Sequence, residues 1–110
     1  MTMEMDEYQK AALRTANRPE ASLSGWSMAA MGLAGEAGEV VDYLKKVLHH
    51  GHTLDRDKLT KEIGDVLWYC AVLSHINGVP LSEVAAENMR KLRARYPDGF
   101  SEERSRNRAD

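Results

Sequence analysis

The sequence predicts an all-α fold, a single domain resembling a four-helix bundle. Three observations carry that expectation. Apolar residues recur three and four apart in four separate segments. No segment alternates apolar and polar residues as a half-buried strand would. Breakers punctuate the segments: Asn17 and Pro19, then Gly51, then Asn77-Gly78, then Pro97-Asp98-Gly99.

The first helix is expected over residues 3–16, with Met5, Tyr8, Ala12 and Leu13 on one side and Asn17 and Pro19 ending it. The second is expected from Trp26 to Leu48, capped by Ser22 or Ser24. Its stripe is Leu33, Ala37, Val40, Val41, Leu44, Val47 and Leu48; Lys45, Lys46, His49 and His50 suit the negative end of its dipole, and Gly51 suits its C-terminal cap. The third opens near Asp55, carries Leu59, Ile63, Val66, Cys70 and Leu73 inward, and stops at Asn77-Gly78. The fourth spans Leu81 to Tyr96 with Val84, Ala85, Met89 and Leu92 inward. Residues 1–100 thus make the helical domain, and 101–110 a polar, loosely ordered tail.

The 110 residues fit one domain and bury enough surface for one core without covalent staples. Apolar residues are 43% and charged ones 29%, with a net charge of −2, which gives no global bias toward nucleic acid or membrane. Cys70 is the single cysteine, so an intrachain disulfide is impossible and a reducing compartment is the simpler expectation. The apolar run from Trp26 to Ala34 is too short to span a bilayer, and the acidic N-terminus lacks the order of a signal peptide. A cytoplasmic protein without a membrane partner is expected. Charge is uneven: residues 1–88 carry −5 and residues 89–110 carry +3.

The chemistry lies in the two middle helices. Glu36 and Glu39 are three apart, as are Glu62 and Asp65, so each pair stacks on one helix face. With Leu33 as reference, Glu36 falls about 60° and Glu39 about 120° to one side, flanking the apolar stripe. Glu62 projects between Val66 and Tyr69, into the packed side, and Asp65 lies one flank over. Four converging carboxylates repel and lose hydration unless a cation compensates. Oxygen-only ligands suit Mg²⁺ or Mn²⁺ rather than zinc, and acidic pairs on facing helices are a recurrent way to build such sites. Gly32, Gly35, Gly38 and Gly64 lie inside the same helices, where each costs about 1 kcal/mol relative to Ala; close helix packing is the expected return.

These residues also carry a family resemblance. The run Gly32-Leu-Ala-Gly-Glu-Ala-Gly-Glu-Val40, then Lys45-Lys46, then Lys61-Glu-Ile-Gly-Asp-Val-Leu-Trp-Tyr69, resembles the MazG-like members of the all-α nucleoside triphosphate pyrophosphohydrolases. Asn88-Met-Arg-Lys91-Leu and Arg95-Tyr-Pro-Asp-Gly-Phe100 extend it, so the resemblance covers nearly the whole chain. The family pattern is usually Glu-Glu-x-x-Glu and then Glu-x-x-Asp; here Gly35 stands at its first position and Glu36, Glu39, Glu62 and Asp65 match the rest. The resemblance implies cleavage of a nucleoside triphosphate between its α- and β-phosphates, to a monophosphate and pyrophosphate, and dependence on magnesium. It also implies assembly as a homodimer or homotetramer, and all four acids are expected to ligate Mg²⁺, one doubling as general base.

Such a reaction needs charge neutralisation and in-line positioning more than a covalent nucleophile. The chain has no strong Ser-His-Asp or Cys-His signature and no Walker-type loop. For phosphate contacts, Lys46 projects on the flank of Glu39 and Tyr43, and is preferred to Lys45. Asn88 and Lys91 match the family's substrate-contacting positions, and Arg95 follows one turn later. Trp26, Trp68 and Tyr96 are aromatics of the kind that stack on a base or fill a core. His49, His50 and His52 lack a second set of soft ligands for zinc. Two rival classes are a noncatalytic helical dimerisation module and a nucleic-acid-binding helical protein using Arg90 to Arg108. The second is disfavoured by the acidic body, which repels phosphate.

Overall fold

The computed structural model describes residues 2–108. Five helices follow in order: α1 (Met5–Leu13), α2 (Leu23–His49), α3 (Arg56–Ile76), α4 (Leu81–Arg95) and α5 (Glu102–Arg106). The all-α expectation holds, and the four expected helices are present. The fifth is a departure: residues in the polar tail form a short helix, started by Ser101 Oγ accepting the Arg104 N–H at 3.2 Å.

Helix α2 begins before Trp26 because Ser22 is the cap, its hydroxyl accepting the Gly25 N–H at 3.0 Å. It ends at His49, where Gly51 takes a φ of +74° that L side chains rarely adopt. Asp55 then caps α3 by accepting the Asp57 and Lys58 N–H groups. The connection is locked by Tyr43 of α2: its hydroxyl accepts the Asp55 N–H at 2.7 Å, while Lys58 lies over its ring at 4.8 Å. A connection this short makes α2 and α3 an antiparallel hairpin, and theirs is the most extensive helix contact in the molecule.

Helix α1 ties the far end of α3 to α4. Pro80 precedes α4 and offers no side-chain cap. The free first-turn N–H groups of α4 are taken instead by α1: Gln9 Oε1 accepts from Leu81 at 3.0 Å, and Asp6 accepts the Ser82 N–H at 2.9 Å and its hydroxyl at 2.6 Å. The Gln9 amide also donates to the Ala71 and Val79 carbonyls. Trp68 Nε1 donates to the Ala12 carbonyl and to Thr15, and its ring joins both core clusters, one around Ala12, Ala71 and Leu81, the other around Ala29, Val72 and Ile76.

The packed face of α2 differs from the one the sequence predicts. Gly25, Ala29 and Tyr43 are buried, and Gly32, Leu33, Glu36, Val40 and Val47 are half-buried. These lie within about 60° of Glu36 in projection, with half-buried Leu44 and Lys46 about 80° to either side and half-buried Asp42 about 120° round, so Glu36 marks the centre. Ala37, Val41 and Leu48, expected inward, are exposed, as are Ile63 on α3 and Val84, Met89 and Leu92 on α4. Apolarity alone could not tell a side that packs within the chain from one that does not.

Gly25, in the first turn of α2, has no room for a Cβ, which would stand 2.0 Å from the Glu20 carbonyl oxygen; of the four glycines singled out in the sequence, Gly32 alone makes a close approach. A Cβ there would stand 2.1 Å from the Tyr69 ring, whereas Gly35, Gly38 and Gly64 have nothing within 4 Å of that position. Close packing therefore explains one of them and not the other three.

Candidate metal centre

Glu36 comes from the middle of α2; Glu62 and Asp65 come from the first half of α3. Because the hairpin packs through the strip centred on Glu36, the two helices bring carboxylate oxygens of Glu36, Glu62 and Asp65 within 4.8 Å of one another. Glu36 and Glu62 are half-buried in the seam and Asp65 is exposed beside it. Glu62 on the packed side and Asp65 one flank over match the projection, whereas Glu36, expected on a flank, lies in the seam. Glu39 is exposed and outside the three-carboxylate group, yet close enough to act on Glu36 through space.

The electrostatics follow from that placement. Loss of hydration raises the Glu36 pKa above its ordinary value, and the negative charges of Asp65, Glu62 and Glu39 raise it further. The Tyr8 phenol of α1 is likewise pushed up, first by burial and then by Asp65 and Cys70. Tyr8 thus borders the acids, a neighbour that helical spacing on α1 could not reveal. Three carboxylates that repel one another across a half-dry seam, with oxygen donors only, fit a hard divalent cation.

The basic residues are placed differently from expectation. Lys45 and Lys46 both pair with Asp42, at 3.1 and 3.0 Å, so one aspartate gathers the two ammonium groups and the expected preference for Lys46 has no counterpart in the contacts. Their charge in turn lowers the Asp42 pKa, through hydrogen bonds from Lys46 and Lys45. Asn88 and Lys91 are exposed on α4, which packs on α1 and α3. Arg95 lines a cleft between α4 and α5 together with Ser101, Arg104 and Arg108. Among the described residues, no three-membered ligand group includes His49, His50 or His52. Trp68 is spent on the core, and Tyr96 stacks on Phe100 at 5.4 Å.

Residues 27–100, which hold all four acids and Asn88 to Arg95, match the MazG nucleotide pyrophosphohydrolase domain. The chain belongs to the MazG family. It is also 42% identical over 105 residues to the Gene 37 protein of Mycobacterium phage L5, covering 88% of this chain and 92% of that protein. No solved structure matches. Membership in a family of nucleotide pyrophosphohydrolases gives the acid group a chemical context, and metal dependence is general in that family. Among the described residues, no helix is long and apolar enough to cross a membrane.

Proposed function

We propose that this chain hydrolyses nucleoside triphosphates between the α- and β-phosphates, releasing a monophosphate and pyrophosphate, as a housekeeping activity on the cytoplasmic nucleotide pool. The observation that carries the reading is the convergence of Glu36, Glu62 and Asp65 within 4.8 Å across the α2–α3 seam. In this reading these three, with Glu39 at the margin, hold Mg²⁺, for which Mn²⁺ can substitute. Bound there, magnesium supplies charge neutralisation and an acidified water.

The chain's own residues do the rest. The half-dry seam strengthens every charge contact made in it. One of the four carboxylates takes the proton of the attacking water. Lys46, paired with Asp42, is the phosphate contact proposed from α2, and Asn88, Lys91 and Arg95 are those proposed from α4. The active form is proposed to be a homodimer or homotetramer.

The decisive measurement is pyrophosphate release from a panel of ribo- and deoxynucleoside triphosphates with Mg²⁺ or Mn²⁺. Turnover that needs the metal and is lost in Glu39→Gln and Asp65→Asn, with helicity unchanged by circular dichroism, supports the assignment. An absence of turnover across the panel would refute the reaction, and full activity in either variant would refute the site. A gel shift with nucleic acid that disappears on deletion of residues 101–110 would favour the nucleic-acid-binding class instead.

A further inference from the structure

The hairpin has two unlike sides. Glu39 on α2 and Asp65 on α3 both project about 60° from the seam in one direction; on α2 the arc about 100–160° in the other direction holds Leu23, Ala30, Ala34, Ala37, Val41 and Leu48. Every α2 residue in that arc is apolar, and all six are exposed, Leu23 at 89%, Val41 at 67% and Leu48 at 72%. Because α3 runs antiparallel, its exposed Ile63 and Leu67 fall on the same side. The strip spans α2 from its first residue to its penultimate one.

The chain is also too open for its mass. A folded monomer of 12.3 kDa exposes about 6,100 Å², whereas this chain exposes 8166 Å². Its radius of gyration is 16.8 Å, against about 13 Å for a compact domain near this length. The excess of about 2,000 Å² per chain, doubled, falls within the roughly 2,000–5,000 Å² total of obligate homodimers.

The order of residues along the strip says how a second copy fits. Leu23 and Leu48, Ala30 and Val41, and Ala34 and Ala37 are pairs placed symmetrically about a point between Gly35 and Glu36. Large side chains stand at the ends and alanines at the middle. A two-fold contact requires that residue i meet j while j meets i, and antiparallel crossing at this point satisfies it for all three pairs. The alanines then allow an interaxial distance near the short end of about 8–10 Å.

We propose that α2 is a self-complementary interface: two copies pack their α2 helices antiparallel, crossing at Ala34 and Ala37, with the acid sides of both hairpins turned away from the contact. This gives a surface and a register to the self-association proposed above, and it is tested without any turnover.

In a Cys70→Ser background, proteins carrying Leu23→Cys alone or Leu48→Cys alone are oxidised separately and, in a parallel sample, mixed while reduced and then oxidised. The antiparallel register gives little disulfide dimer in either single preparation and a strong 23–48 crosslink in the mixture. Crosslinking of each single variant with itself as efficiently as in the mixture would overturn the register. By sedimentation, the unmodified chain is expected to run at twice its mass. Val41→Glu, at a position already exposed within the chain, should weaken self-association by about a hundredfold or more while keeping its helicity. An unmodified chain that sediments as a monomer at micromolar concentration would overturn the proposal and leave the proposed reaction to be judged by pyrophosphate release.

Discussion

Gly32 and Tyr69 occupy the same space: a Cβ built on the glycine would stand 2.1 Å from the tyrosine ring. Tyr69 in turn packs edge-on against Trp68, which holds α1 to α3. Gly32→Ala should therefore destabilise the fold by about 1–3 kcal/mol through overpacking, despite the better helix propensity of alanine. Gly38→Ala, with open space at its Cβ, should instead stabilise by up to about 1 kcal/mol. Chemical denaturation of the two variants checks the opposite signs; equal effects would mean that the ring moves aside freely.

A cation held by Glu36, Glu62 and Asp65 binds the folded chain and not the unfolded one, so Mg²⁺ should raise the melting temperature. At a free concentration a hundred times the dissociation constant the gain is about 2.7 kcal/mol. Glu36→Gln should abolish the magnesium-dependent shift and, by removing a carboxylate that its neighbours repel, raise the melting temperature measured in a chelator. An unchanged response to magnesium in that variant would count against Glu36 as a ligand.

Gln9 is buried and connects three backbone groups from two segments. Gln9→Ala leaves the Leu81 N–H and the Ala71 carbonyl without this partner, and a buried group left so costs about 1–3 kcal/mol. A loss of about 2–4 kcal/mol by urea titration is expected, together with loosening of α4. Hydrogen exchange should show that loosening as faster exchange at Leu81 than at residues in the α2–α3 hairpin.

Asp6 makes the pH dependence explicit. Its pKa is lowered, first by the Ser82 hydroxyl and then by the Ser82 N–H. A carboxylate whose folded pKa lies below its unfolded one adds stability above the unfolded value and loses it as pH falls through the folded value. Asp6→Asn should therefore weaken the chain near neutrality and flatten this part of its acid sensitivity below about pH 4. Melting curves between neutral and strongly acidic pH show the difference directly.

The helices were legible because breakers and caps are local: Ser22, Asp55, Asn77-Gly78 and Pro97 each act within a few residues. The acid pairs were legible for the same reason, since a spacing of three fixes a shared face. What escaped was tertiary. Leu33, Val41 and Leu48 all read as stripe residues, yet Leu33 is half-buried while the other two are exposed. The pairing of Asp42 with both Lys45 and Lys46, by contrast, is local, at spacings of three and four on one helix. Gln9, a polar residue on a short helix, gave no sign that it would be buried, because its partners lie 62 to 72 residues away.

That separation governs when the molecule can be completed. The α2–α3 hairpin is built from neighbours in sequence and needs no other helix to begin forming. Helix α1 is made before the other helices, but the backbone groups its Gln9 must engage lie 62 to 72 residues downstream, ending with the Leu81 N–H. At synthesis rates of about 5–20 residues per second it waits roughly 4–14 s for them. Helix α1 can meet α3 earlier, through Ala71 and Trp68, but the bonds by which it orients α4 are among the last a growing chain can form.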